Sequence, residues 1–348
     1  MAGLANHLGD SMKAVGYRQS HPVDHPEALL DIELPEPTPG GHDILVEVKA
    51  VSVNPVDTKV RRSAGPLDGQ YRVLGWDAAG VVRAVGEKAT LFKPGERVMY
   101  AGTLLRPGTN SELHLVDERI VGHMPQRLGF EEAAALPLTA LTAWELLFDR
   151  LQVAQDPSVQ QDALLVVGAA GGVGSVMVQL ARQLTGLTVV GTASRPQTRQ
   201  WVKDLGAHHV IDHTGSLPQQ LQQAGVGQVR YVASLTHSEQ HLPQLVEVLA
   251  PQGRLGIIDD PETFDVRLLK RKSISLHWEF MYTRSMFQTP DMIAQHRILE
   301  RIAELVDAGV LKSTLAEHFG TINAANLRRA HQLLESGKSR GKIVLSGF

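Results

Sequence analysis

Apolar positions alternate in short runs over the first third of the chain, then recur at helical intervals between short apolar blocks. From Met12 to about Leu128 the runs "MKAVGYR", "DILVEVKAVSV", "AAGVVRAVG", "RVMYAG" and "SELHLVD" read as strands separated by turns, with a Pro-Gly turn in "KPGERV". In "ILVEVKAVSV" the apolar residues Leu45, Val46, Val48, Val51 and Val53 follow a period of two that slips once. A strand-rich, partly barrel-like first domain is predicted.

The rhythm changes after Gly129. "GFEEAAALPLTALTAWELLFDRL" favours helix, with a break at Pro137. The blocks "DALLVV", "LTVVGT", "HHVID", "VRYVAS" and "GRLGIID" then read as strands, and the intervals Val173–Leu184, Arg199–Leu205, Gln219–Ala224 and Glu239–Leu249 as helices between them. Such alternation predicts a parallel, doubly wound sheet over about 162–280. "SISLHWEFM" predicts a last strand, and Ile293, Ile298, Ile302, Leu305 and Val306 mark an amphipathic helix.

Composition narrows the classes. The 348 residues suffice for two domains, 43% are apolar, and 34 Lys and Arg against 37 Asp and Glu leave a net charge of −3. That balance gives no footprint for nucleic acid or an anionic membrane. Cysteine is absent, which excludes disulfides, thiolate nucleophiles and cysteine-ligated zinc. Residues 1–12 have neither the basic cluster nor the apolar stretch of an export signal, and no apolar tract is long enough to span a bilayer. A cytoplasmic protein is expected.

The sharpest chemical signal is "DALLVVGAAGGVGSVMVQLARQL". A strand ends at Gly168, and Ala169, Gly171, Gly172, Val173 and Gly174 lead into a helix. This order suits a dinucleotide pyrophosphate approaching backbone N–H groups at a helix N-terminus. The same glycines also suit a crossover selected for close helix–sheet packing, or a methyl-donor site. An NAD site places an acid at the end of the following strand, yet none occurs from Leu187 to Trp201. Ser194 and Arg195 stand there instead, with Arg199 one helical turn on, a set that suits the 2′-phosphate of NADPH. Arg195 as a solvated loop charge is the plainer alternative. Lys338, Arg340 and Lys342 are further cofactor candidates, with solvent exposure as the alternative.

Taken in order, "VSVNPVDTKVR", "VLGWDAAGVVRAVG", "FKPGERVMYAG", "LPLTALTAWELL", the glycine turn, "TASRPQTRQWVKDLGAHHVIDH" and "GKSRGKIVL" resemble the medium-chain dehydrogenases and reductases. Within that superfamily the chain resembles the zinc-independent quinone oxidoreductases, and most closely the zinc-type alcohol dehydrogenase-like branch. The resemblance implies a GroES-like, partly open β-barrel substrate domain over 1–130 and 296–348. A doubly wound Rossmann domain binding NADPH would cover 131–295, and a homodimer would form through edge strands of the nucleotide-binding sheets. Zinc-bearing relatives place a cysteine where this chain has Asn54, and a Gly-His-Glu segment where it has Gly75, Trp76 and Asp77. No metal is therefore expected. His208, His209, His213, His237 and His241 lack the offsets of a metal motif, and Ser175 is not set in a nucleophile elbow.

Hydride transfer without a Lewis acid favours quinones or α,β-unsaturated carbonyls, because charge arriving with the hydride spreads onto oxygen. The resemblance implies Asn54 and Asp57 at the substrate side of the nicotinamide, Asn54 as donor to a developing oxyanion. Alternatively, Asn54 starts a turn and Asp57 caps a helix. Tyr71 and Trp76 offer an aromatic wall or plain core packing, and Tyr100 and Tyr282 are candidate proton donors. Thr139, Ser234, Thr236 and Ile257, with Ile258 beside it, are implied around the cofactor. A zinc-independent alcohol or aldehyde dehydrogenase, and a non-catalytic NADPH-binding protein, stand as alternatives.

Overall fold

The computed structural model describes residues 11–66, 70–160 and 162–348; residues 1–10 of the segment read for an export signal lie outside them. The chain opens with β1 (Ser11–Tyr17), β2 (Leu30–Pro35), β3 (Asp43–Val53), α1 (Pro55–Ser63), β4 (Arg72–Val73), β5 (Ala78–Val85), β6 (Arg97–Tyr100), β7 (Leu113–Asp117) and β8 (Val121–His123). Next come α2 (Phe130–Ala134), α3 (Pro137–Trp144), β9 (Ala163–Val167), α4 (Gly172–Leu184), β10 (Thr188–Thr192), α5 (Pro196–Asp204), β11 (His209–Ile211) and α6 (Leu217–Gln223). After these follow β12 (Val229–Ser234), α7 (Ser238–Val248), β13 (Leu249–Ile257), β14 (Ser275–Trp278), α8 (Thr283–Phe287), α9 (Ala294–Asp307), β15 (Leu315–His318), α10 (Ala324–Glu335) and β16 (Lys342–Ser346). No helix among the described residues is long and apolar enough to cross a membrane.

Two compact units divide the chain. The first holds the described residues up to Leu138 with Tyr282–Ala308 and Leu315–Phe348; the second holds Thr139–Met281 and Gly309–Thr314. These boundaries differ from the expected 130/131 and 295/296. Helix α2 packs on β3 and β5, so it stays with the strands of the first unit. Segment 309–314 joins the second because Gln179 of α4 donates to the Lys312 carbonyl (3.3 Å) and accepts from the Lys312 N–H (2.9 Å).

In the first unit a sheet runs β15-β16-β3-β5-β6-β8, with β7 also on β3, beside a three-stranded sheet β2-β1-β4. Burial in β3 alternates from Asp43 to Ala50 and is unbroken from there to Val53. Register shifts against β5 fall between Leu45 and Val46 and between Val48 and Ala50. Those bulges are the structural form of the slipped period. Among the described residues the pairing does not close on itself, so the GroES-like sheet is an open one. Strand β16 pairs antiparallel with β3, Ile343 opposite Val53, which sets Lys342 beside Asn54.

The second unit holds six parallel strands ordered β11-β10-β9-β12-β13-β14, the third-second-first-fourth-fifth-sixth order of a Rossmann sheet. Leu165, Val167, Val190, Val232, Leu255 and Ile257 of the strands pack with Leu217, Leu221, Leu242 and Leu245 of α6 and α7. Each such side chain contributes about 1.5–3 kcal/mol relative to exposure. The order reverses between β9 and β12, and ligands of such sheets bind at that crevice, beyond the carboxyl ends of the strands.

Candidate functional site

In the second unit, the crevice is walled by the turn after β9 and the loop after β12. Gly168 has φ +81°, and a β-carbon there would lie 2.9 Å from Thr236 Cγ2. The Gly168 N–H donates to Thr192 Oγ1 (3.0 Å) and the Ala169 N–H to the Thr192 carbonyl (3.2 Å), tying the turn to the end of β10. A β-carbon on Gly174 would sit 2.5 Å from the Gly168 carbonyl oxygen and 2.6 Å from Ala169 Cα. Helix α4 therefore begins hard against the strand end. Gly171 is its N-cap, and the N–H groups of Gly172, Val173 and Gly174 in its first turn have no partner within the helix. That cradle fits a pyrophosphate.

Past β10, Ser194 is half-buried and Arg195 exposed, the latter capping α5 with its N–H on Thr198 Oγ1 (3.2 Å). Arg199 departs from expectation: its guanidinium donates to the carbonyls of Ala193 (3.2 Å) and Val210 (3.0 Å), stapling β10 to β11. Ser234 is buried with its Oγ 2.8 Å from Ser238 Oγ, and Thr236 Oγ1 meets His237 Nδ1 at 2.7 Å. Thr139 is buried near the start of α3. Ile257 is a correction: it belongs to the apolar core of this unit, while Ile258 is half-buried just beyond the strand.

The first unit holds a buried polar cluster. Asn54 is the N-cap of α1 with Pro55 at the first helical position, and the Asp57 carboxylate accepts the Asn54 N–H at 2.7 Å. The Asn54 side chain turns elsewhere: Nδ2 donates to Asp77 Oδ2 (2.9 Å) and Oδ1 accepts from Lys342 Nζ. Lys342 Nζ also donates to Asp77 Oδ2 (3.0 Å) and the Val53 carbonyl (3.1 Å). Ser52 Oγ adds a third bond to Asp77 Oδ2 (2.9 Å), and the Leu138 N–H reaches Oδ1 (2.8 Å). Burial raises Asp57 to about 7, with its Asn54 hydrogen bond and Lys342 opposing and Asp77 reinforcing the rise.

Several expectations are corrected here. Lys342 is buried and its three N–H groups are taken, so none is left for a cofactor phosphate. Lys338 is exposed and Arg340 half-buried. Trp76 is 1% exposed with its indole N–H on the Thr103 carbonyl (3.0 Å), a core residue rather than a wall. Tyr100 is buried, its phenol O–H donating to His114 Nδ1 (3.0 Å) while His114 Nε2 donates to the Pro107 carbonyl, and burial pushes the phenol up. Tyr71 is half-buried under the Arg18 guanidinium, 4.4 Å from the ring centre. Tyr282 is buried, and burial together with the Asp57 and Asp77 charges holds its phenol well above the ordinary value. Of the four aromatic candidates it is the one that feels both carboxyls. Sequence reasoning missed Asp77, Ser52 and the Leu138 N–H; the displaced Gly-His-Glu segment was the one signal for Asp77.

Zinc does not fit these residues. Trp76 offers no lone pair to a metal, while Asn54 Oδ1 and Asp77 Oδ2 already face an ammonium. The single three-residue group of ligand type found among the described residues, His21, His25 and Glu27, has its imidazoles stacked at 3.9 Å, and His25 Nδ1 accepts the Glu27 N–H at 3.2 Å.

Residues 40–141 match the family model of an alcohol dehydrogenase GroES-like domain, and residues 205–345 that of a zinc-binding dehydrogenase. The zinc-type alcohol dehydrogenase-like protein SAS2087 of Staphylococcus aureus (strain MSSA476) is 38% identical over 337 residues, covering 96% of this chain and 100% of that one. A crystal structure from Rhizobium etli CFN 42, provisionally named a zinc-dependent alcohol dehydrogenase, has TM-score 0.95 and 57% identity over 98% of this chain and 99% of that one. A quinone oxidoreductase of Pseudomonas aeruginosa PAO1 is 29% identical over 325 residues, 92% of this chain and 96% of that one.

Proposed function

We propose a reaction that starts from kinship: this chain belongs to the medium-chain dehydrogenase/reductase superfamily, in its zinc-type alcohol dehydrogenase-like branch. It is an NAD(P)H oxidoreductase. The finer reading is a cytoplasmic, metal-free, NADPH-dependent reductase of quinones or α,β-unsaturated carbonyls. The observation that carries it is the Lys342 ammonium seated on Asn54, which stands where zinc-bearing relatives keep a cysteine ligand, with Trp76 in place of their histidine and Asp77 completing the ion pair. The quinone oxidoreductase name of the Pseudomonas relative agrees with it.

Bound NADPH would supply the hydride. In this reading the N–H groups of Gly172, Val173 and Gly174 hold its pyrophosphate, and Ser194 and Arg195 hold its 2′-phosphate. Thr139 and Thr236 line the nicotinamide half. Asn54 has one Nδ2 proton beyond the one given to Asp77, and this proton serves the acceptor oxygen as charge arrives. A quinone needs no strong acid in the transition state, since the hydroquinone anion left by the hydride takes its proton from water afterwards. Strand β14 stands at the sheet edge and its Trp278 is 52% exposed, which supports pairing with a second copy there.

The test is NADPH oxidation followed with small quinones, enones and saturated aldehydes, and NADP+ reduction followed with alcohols. Quinone or enone turnover well above that of saturated carbonyls, with a primary isotope effect from deuterated NADPH, is the expected result. Fast NADP-dependent alcohol oxidation would replace this reading with a dehydrogenase, and saturable NADPH binding with no acceptor turned over would replace it with a non-catalytic binder.

A further inference from the structure

The Asn54 amide is held between a buried cation and a buried anion, and we infer that Lys342 and Asp77 are positioning residues that fix its orientation. The inference rests on the reductase reading only where turnover is measured. Lys342 is 3% exposed and Asp77 fully buried, with Nζ and Oδ2 3.0 Å apart. A buried ion pair is a poor source of stability, because desolvation cancels much of the attraction, and its best-attested use is to fix an arrangement.

An asparagine amide has two orientations that exchange its oxygen and its NH2 group. At Asn54 only one is satisfied. Oδ1 meets the Lys342 ammonium and Nδ2 meets the Asp77 carboxylate. Turned over, the NH2 group would face the ammonium and the carbonyl would face the carboxylate. The pair thereby dictates the direction of the second Nδ2 proton. A cation on Oδ1 also draws electron density from the amide and strengthens that proton as a donor.

The frame around the pair is hydrogen-bonded on every side that the neighbouring residues reach. The Val53 carbonyl takes the remaining ammonium proton, while Ser52 Oγ and the Leu138 N–H complete the Asp77 carboxylate. Lys342 is thus a basic side chain built into this site and tied to three acceptors, Val53, Asn54 and Asp77.

The experiment compares Lys342→Met, Lys342→Gln and Lys342→Arg in the full chain. Expected is a 10- to 100-fold fall in kcat for quinone with Met and Gln and partial recovery with Arg, while the NADPH Kd from fluorescence titration moves less than twofold. Asparagine-selective 15N labelling supplies a readout independent of turnover. The Asn54 side-chain signals, identified by their loss in Asn54→Ser, should exchange slowly with water in the wild type and rapidly in Lys342→Met. If Lys342→Met does not fold, the double variant Lys342→Met with Asp77→Asn removes both charges together and keeps an acceptor for Leu138.

Unchanged Asn54 signals in the variant that folds would overturn the inference. So would an NADPH Kd that rises in step with the loss of kcat, which would return Lys342 to the cofactor. A wild type without quinone or enone turnover defeats the reductase reading instead, and the amide signals then decide the positioning role alone.

Discussion

Asp57 carries a proton near neutrality because burial opposes its charge. Its ordinary value is 3.8 and the fold raises it to about 7, so the native state binds more protons than the unfolded chain between those values. Stability from this group is complete below pH 4 and is lost as pH rises toward and through 7, with a limiting slope of about 1.4 kcal/mol per pH unit. Asp57→Asn keeps an acceptor for the Asn54 N–H and removes the titration. Urea melts between pH 5 and 8 should show the wild type losing stability relative to the variant; parallel curves would contradict the raised value. In the second unit, Arg195 tests cofactor choice. Arg195→Ala should weaken NADPH binding by about 1.5–3 kcal/mol, a charge-assisted contact, and leave NADH nearly untouched. Equal losses for both cofactors would remove Arg195 from the 2′-phosphate.

At the scale of elements, the turn between β9 and α4 is the least forgiving. A methyl group on Gly174 meets backbone on the Gly168 side, and backbone does not rotate away as a side chain does. Gly174→Ala should cost about 1–3 kcal/mol of stability and lower NADPH affinity at least tenfold, read from a thermal melt and a titration. Wild-type affinity in that variant would show that the ligand does not use this turn. The turn was legible because its glycines answer a local demand, and so were β3 and the parallel strands, whose periods are local too. Tertiary partners were not legible. Arg199 reads in sequence as a phosphate ligand, whereas its guanidinium donates to the carbonyls of Ala193 and of Val210, eleven residues on. The "WELLFDRL" stretch reads as plain helix, yet Glu145–Arg150 is a π-helical turn whose Leu151 N–H reaches back five residues to the Leu146 carbonyl. In that turn Glu145 and Arg150 both act on buried Glu279, whose carboxyl is driven upward by burial and by Glu145. No sequence period announces a pairing of that kind.

For the whole molecule, the decisive measurement is chelation. Activity is expected to survive prolonged treatment with a strong chelator and to be unchanged by added zinc, since Lys342 holds the acceptor atoms that a metal would need. Loss of activity with recovery on zinc alone would overturn the metal-free reading. The same lysine also bears on how the protein is made. It stands 288 positions after Asn54, on a strand that slots between β15 and β3. Residues 139–281 can assemble their parallel sheet while the ribosome is still reading the message, but the first unit must wait with a gap along β3 until residues 342–346 emerge. During that interval the Ala50–Val53 end of β3, beyond its pairing with β7, is an unprotected edge, open to wrong partners and to chaperones. A chain stopped before residue 342 would therefore have an intact second unit and an unfinished first one, recognisable by protease resistance confined to the middle of the sequence.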